Sequence, residues 1–165
     1  MVYTPLKPSI FSLGGIALAL GTLAVAKYYE KIMNIRYFYY INMFVELTVL
    51  GFVMLFLILK YSYISALAVY LGYQLTFIFG SYLVRMETIT LKRAVLLSFV
   101  DVMKQKGYLL GLVISYIFYK ILDYMGVSDK QTQVYDLHYI LLVLEIVIIF
   151  LVYNSFKKRR KFEIR

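Results

Sequence analysis

The sequence predicts an all-α integral membrane protein, a bundle of five transmembrane helices with one cytoplasmic interfacial amphipathic helix. Two observations predict this class. Of the 165 residues, 62% are hydrophobic, and the 16% that are charged are crowded into a few short segments. Five apolar stretches are long enough to cross a hydrocarbon core of roughly 30 Å, which takes about 20 helical residues. Since little chain remains between them, we expect residues 1–165 to form a single polytopic membrane domain.

The first of these stretches has a second interpretation. Lys7 followed by an apolar run and by small residues at 24–26 resembles a secretory signal with its cleavage site. The run is long for a signal, however, and cleavage would leave Lys27 and Lys31 on the translocated side, against the usual charge bias. We therefore count it as a span. The predicted spans are residues 9–26, 37–59, 62–84, 107–127 and 137–156.

The first span carries small residues four positions apart, at Gly15 and Ala19 and at Ala17 and Gly21. Small residues let helix backbones approach closely in lipid, where packing drives association. The pattern predicts that this helix packs tightly on a neighbour, in the same chain or in another. The alternative is that Gly and Ala merely fill an apolar span.

Residues 87–105 are too charged to cross a membrane and too apolar to remain in water. Arg93 and Asp101 fall on one side of a helix, and Leu96 and Phe99 fall on another, which predicts an amphipathic helix lying in the cytoplasmic interface. Asp101 and Lys104 are helical neighbours, so a surface ion pair is the simpler role for this aspartate. The basic residues predicted to contact anionic lipid headgroups are Lys92, Arg93, Lys104 and Lys106.

The distribution of Lys and Arg predicts the orientation of the chain. If the C-terminus is cytoplasmic, fourteen of the 18 basic residues lie in cytoplasmic segments and four lie outside. Positive charge is retained on the cytoplasmic side, so we expect the N-terminus outside and the C-terminus inside, in the plasma membrane. The net charge of +9 is explained by this topology and by anionic lipid. The basic run at 157–161 follows a span as a stop signal does, and it does not indicate nucleic-acid binding.

Polar side chains from three predicted spans fall at one depth. Glu46, Gln74 and Glu145 lie about 14 to 16 Å from the cytoplasmic ends of their spans, and Asn42 lies one turn before Glu46. A carboxylate costs on the order of 3 kcal/mol to insert, so these groups should face protein or water. In a structural role the carboxyl groups are protonated and hold the helices together. In a functional role they bind ions or protons.

The sequence lacks the residues that most membrane enzymes use. It contains no cysteine and a single histidine, His138, at the outer end of the last span, where an interfacial position explains it. No catalytic motif is present, and we predict no cofactor and no metal. The first hypothesis is a small non-catalytic accessory or scaffolding subunit of a larger membrane complex, energy-transducing or transport-related, whose partners are other membrane subunits or copies of itself. The alternative is a homo-oligomeric proton or cation channel or carrier that uses Glu46 and Glu145.

Overall fold

The computed structural model describes the backbone of residues 6–163 and the side chains of residues 6–157. This part of the chain is helical and contains no strand, which confirms the all-α prediction. The helices are α1 (Pro8–Lys27), α2 (Tyr29–Ile32), α3 (Ile35–Leu59), α4 (Tyr63–Leu91), α5 (Ala94–Tyr124) and α6 (Lys130–Glu163).

Four of the helices are long and apolar enough to cross a membrane: α1, α3, α4 and the Lys130–Lys157 part of α6. They correspond to four of the five predicted spans and make this a multi-pass membrane protein. The predicted span at 107–127 falls within α5, which is not among the four. Its apolar stretch is interrupted by tyrosines and by Lys120 and Asp123, which lower its hydropathy.

The α3 helix is the centre of the bundle, because it packs along both α4 and α6, while α1 packs along α4. Ring contacts fix the directions of these helices. Phe44 contacts Phe79 and Phe52 contacts Tyr73, with ring centroids 5.8 and 5.1 Å apart, so α3 and α4 are antiparallel. The α3 and α6 helices are antiparallel as well, since Phe38 contacts Phe156 at 5.7 Å and Phe56 contacts His138 at 4.0 Å.

This arrangement places the end of α4 and the start of α6 at opposite ends of the bundle. The helix α5 connects them with 31 residues, or about 46 Å at helical rise. An ion pair between Lys104 and Glu87 joins α5 to α4. The side-chain amide of Gln133 donates to Asp123 at 2.5 Å and joins α5 to α6. No residue of α5 is buried in the chain.

The predicted interfacial helix at 87–105 is not a separate element. Its first residues complete α4, which ends where Lys92 takes a left-handed conformation with φ 54°. The rest opens α5 and continues without a break through Gly107 into the predicted fourth span. Charged residues become rare after Lys106, which predicts a boundary between two helices there. However, a single glycine between good helix formers costs only about 1 kcal/mol and does not end a helix.

The α1 helix packs on α4 through glycines. A Cβ on Gly14 would lie 2.1 Å from the hydroxyl oxygen of Tyr70, and one on Gly21 would lie 2.5 Å from the Ile78 side chain. The Tyr70 hydroxyl also donates to the carbonyl of Phe11 at 3.1 Å. Of the four small residues predicted to pack, Gly21 therefore contacts α4 within the chain. The other three, Gly15, Ala17 and Ala19, are exposed, so their packing on a further helix remains a prediction.

Candidate functional site

Two carboxyl groups meet between α3 and α6 in the interior of the bundle. The side chains of Glu46 in α3 and Glu145 in α6 face each other, with their carboxyl groups within hydrogen-bonding reach. They lie roughly midway between the two aromatic contacts that join these helices, Phe38 with Phe156 and Phe56 with His138. The antiparallel register of α3 and α6 therefore brings together residues 99 positions apart in the sequence.

Glu145 is the more enclosed member of the pair, with 7% of its surface exposed. Its neighbours Leu144 and Ile146 are exposed and apolar, so the carboxyl lies on the inner face of α6. Its Oε1 atom is buried and has no hydrogen-bond partner among the described residues. Ionised carboxyl groups only accept hydrogen bonds, so two of them can bond to each other only through a proton carried by one of the two.

The two neutral members of the predicted cluster flank the pair. Asn42 is half-buried on α3, one turn toward the helix N-terminus from Glu46. The ring contacts between α3 and α4 place Gln74 about one turn, or about 5.4 Å, on the other side of Glu46. The Oε1 atom of Gln74 is buried and, within the described residues, has no hydrogen-bond partner. The ring contacts of α3 with α4 and with α6 place Gln74 and Glu145 opposite neighbouring positions of α3, near residues 49 and 50.

No basic group neutralises the pair within the described side chains. The ion pair found there joins Lys104 to Glu87 at the turn between α4 and α5. The predicted neighbour pair of Asp101 and Lys104 is therefore replaced by a contact between helices. The ammonium of Lys120 lies 5.9 Å from the ring centre of Tyr116 on its own helix.

Aromatic residues close the α3–α6 contact at both ends. At the predicted outer end, Phe56 packs on His138, and the Tyr135 hydroxyl donates to the carbonyl of Leu57 at 3.0 Å. His138 Nδ1 is 2.7 Å from the carbonyl oxygen of Val134 on its own helix, which agrees with a structural role. This cluster was not predicted from the sequence. The i, i+3 spacing of Tyr135 and His138, which puts both rings on one face of α6, is the signal that could have found it.

The four basic residues predicted to contact lipid headgroups, Lys92, Arg93, Lys104 and Lys106, are all exposed. Lys92 and Arg93 lie at the turn between α4 and α5, and Lys104 and Lys106 lie about three to four turns into α5. Lys104 is partly engaged by Glu87. Their exposure makes them accessible to a membrane surface.

The site offers acid–base chemistry, and within the described residues no group of three or more His, Asp or Glu side chains comes together. A carboxyl pair of this kind can take up and release a proton. Comparisons with protein-family models, with curated proteins and with solved structures found no match to this chain.

Proposed function

We propose that the chain is a small non-catalytic subunit of a larger integral membrane complex, transport-related or energy-transducing, in the plasma membrane. The observation that carries this proposal is α5, a 31-residue helix with no buried residue. Large apolar side chains such as Phe99, Leu109 and Ile117 are exposed along it. A helix that contributes this little to its own bundle is available to the helices of a neighbouring subunit.

The proposal includes α5 as a fifth span with the N-terminus outside. Its support is geometric, because α5 connects opposite ends of the bundle, as a helix that crosses the membrane would. The charge distribution supports the orientation, since Lys92, Arg93, Lys104 and Lys106 then lie together on the cytoplasmic side. Their exposure favours contact with anionic lipid headgroups there.

Co-purification in a mild detergent tests the subunit proposal. A tagged chain should bring down unrelated membrane proteins in fixed stoichiometry. Val113 in α5 and Val147 in α6 are equally exposed, at 46%, and make a matched pair. Val113→Trp should release the co-purified proteins, whereas Val147→Trp should retain them. Isolation of the chain alone from gently solubilised native membranes would overturn the proposal.

The second candidate function is a homo-oligomeric channel or carrier for protons or cations. The observation that favours it is the buried contact of Glu46 and Glu145, with one carboxyl oxygen left unbonded. Intramembrane acids without a basic partner mark ion and proton pathways in many transporters. The two candidates are compatible if the chain carries protons or ions within a complex.

Flux measured on the purified chain in liposomes tests this second candidate. The wild type should dissipate an imposed proton or cation gradient, and Glu46→Gln should abolish the flux while leaving the melting temperature intact. Glu30 lies exposed in α2, so Glu30→Gln serves as the control that should retain flux. Wild-type liposomes that hold their gradients as well as empty ones would exclude transport by this chain alone.

A further inference from the structure

We infer that Glu46 and Glu145 form a proton-sharing carboxyl pair, in which the ligand of the site is a proton and not a metal cation. This deepens the second proposed function, on whose site it rests, by naming what that site binds. The geometry carries it: the antiparallel register of α3 and α6 brings the two acids to nearly the same level, Glu145 is almost completely enclosed, and its buried Oε1 atom has no partner among the described residues.

The first step concerns charge. Two carboxylates in contact would place two like charges in a medium where even one costs on the order of 3 kcal/mol to insert. A single proton held between the oxygens removes one charge and supplies the hydrogen for a bond between Glu46 and Glu145. Uptake adds one proton to the pair and release removes it, so only O–H bonds form and break and no redox partner takes part.

The second step concerns the number of oxygen ligands. A bound Ca²⁺ takes about six to eight oxygens, and Mg²⁺ requires about six in nearly octahedral geometry. The two carboxyl groups supply four, and no third acidic residue joins them within the described residues. Gln74 lies near the level of Glu145, and its amide oxygen would bring the count to five, whereas Asn42 lies one turn from Glu46 on the side away from Gln74. A proton needs only two oxygens, and the pair supplies them.

The third step concerns the groups that surround the pair. The titratable group facing Glu145 from α3 is Glu46, and α4 contributes the neutral Gln74. Along α6 the nearest titratable side chain is Tyr139, about 9 Å away along the helix axis. Glu145 and Gln74 each have a buried acceptor oxygen without a partner among the described residues. Such an oxygen needs a donor. A water molecule that delivers a proton is a donor, whereas a second base would offer no hydrogen.

Infrared spectroscopy of the full chain, reconstituted in vesicles of neutral lipid, tests the inference. At neutral pH the wild type should show the carbonyl stretch of a protonated carboxyl group. The Glu46→Gln/Glu145→Gln double variant should lose this band, and Glu30→Gln should keep it. In each single variant the frequency of the carbonyl band should shift, because the remaining carboxyl group then bonds to an amide in place of a carboxylate.

The wild-type spectrum is decisive even if a variant fails to fold. A wild type without the band, or a folded double variant that retains it, would overturn the inference. Loss of the wild-type band on adding sodium or calcium would also overturn it, since metal ligands must be deprotonated. If the wild type shows the band but no proton flux, the carboxyl pair is supported and the proposed transport function is wrong. If it shows proton flux but no band, transport is supported and the proton-sharing pair is wrong.

Discussion

Gly72 in α4 lies directly against the ring of Phe52 in α3. A Cβ placed on Gly72 would be 2.3 Å from Cδ1 of that ring and 3.0 Å from its Cε1 and Cγ. Phe52 is buried and its ring centre is 5.1 Å from that of Tyr73. The close approach of α3 and α4 therefore depends on the missing side chain, and the same contact sets the level at which Gln74 lies relative to Glu46.

Gly72→Ala should lower the stability of the protein by about 1 to 3 kcal/mol, because the added methyl group forces a buried ring to move. Gly80 lies in the same helix, and a Cβ added there would meet nothing within 4 Å, so Gly80→Ala is the matched control and should not lower stability. Thermal unfolding of both variants in the same detergent measures the difference. Equal melting temperatures would mean that α3 and α4 do not approach as described.

A second pair of variants tests the packing of α1. Gly14→Ala should displace the Tyr70 ring and break its hydrogen bond to Phe11, which lowers stability. A Cβ on Gly15 meets nothing within 4 Å, so Gly15→Ala should leave the melting temperature of the isolated chain unchanged. If a partner helix packs on the exposed face of α1, Gly15→Ala should instead weaken co-purification. If Gly15→Ala lowered the melting temperature and Gly14→Ala did not, the face with Gly15 and not the face with Gly14 would pack on α4.

The sequence predicted the membrane class and four spans because long apolar runs have few alternatives in lipid. It also predicted that Glu46 and Glu145 lie at one depth, since depth follows from counting residues along a helix. It could not predict that these two side chains face each other. That depends on helix rotation and on which helices are neighbours, and both are set by packing contacts such as Phe52 on Gly72.

The face of α1 that packs on α4 could not be predicted for a similar reason. A spacing of four residues identifies helix faces that are lined by small side chains. The α1 helix has several such faces, because residues 14, 15, 17, 19 and 21 are all Gly or Ala, and the sequence does not say which face packs on α4. The bulky partners Tyr70 and Ile78 decide this, and both lie more than fifty residues further along the chain.

Asp129 caps the first turn of α6, and its effect on stability should depend on pH. Its carboxylate accepts hydrogen bonds from the backbone amide and the hydroxyl of Thr132, at 2.9 and 2.6 Å, and these bonds lower the pKa of Asp129. Because the pKa is lower in the folded protein, the stabilisation is present above about pH 4, the ordinary value for aspartate, and is lost as the pH falls below it.

Asp129→Ala should therefore lower the melting temperature at neutral pH and have a smaller effect in acid. Melting curves of this variant and of the control Asp101→Ala, measured above and below about pH 4, test the prediction. An effect of Asp129→Ala that does not change with pH would show that the charge of the cap contributes nothing.

Topology can be tested with reporters that are active only in the cytoplasm. A reporter fused after Arg165 should be active, and one inserted at 128–133, around the start of α6, should be silent. An insertion at Lys92, between α4 and α5, should be active. If the sites at Lys92 and at 128–133 report the same side, α5 does not cross the membrane and the proposed fifth span is wrong.

The contact of Glu46 and Glu145 should also contribute to the stability of the bundle. Glu145→Gln keeps a group that can donate to Glu46 and should change the melting temperature little. Glu145→Leu removes that partner and leaves the Glu46 carboxyl facing an apolar helix, so we expect a loss of about 1 to 2 kcal/mol. Glu30→Leu makes the same substitution at an exposed position and should cost nothing.

Buried polar groups can be replaced by well-packed apolar ones with a gain in stability. A higher melting temperature in Glu145→Leu than in wild type would therefore mean that the pair is kept at a cost to the fold, as expected of a site and not of a structural bond.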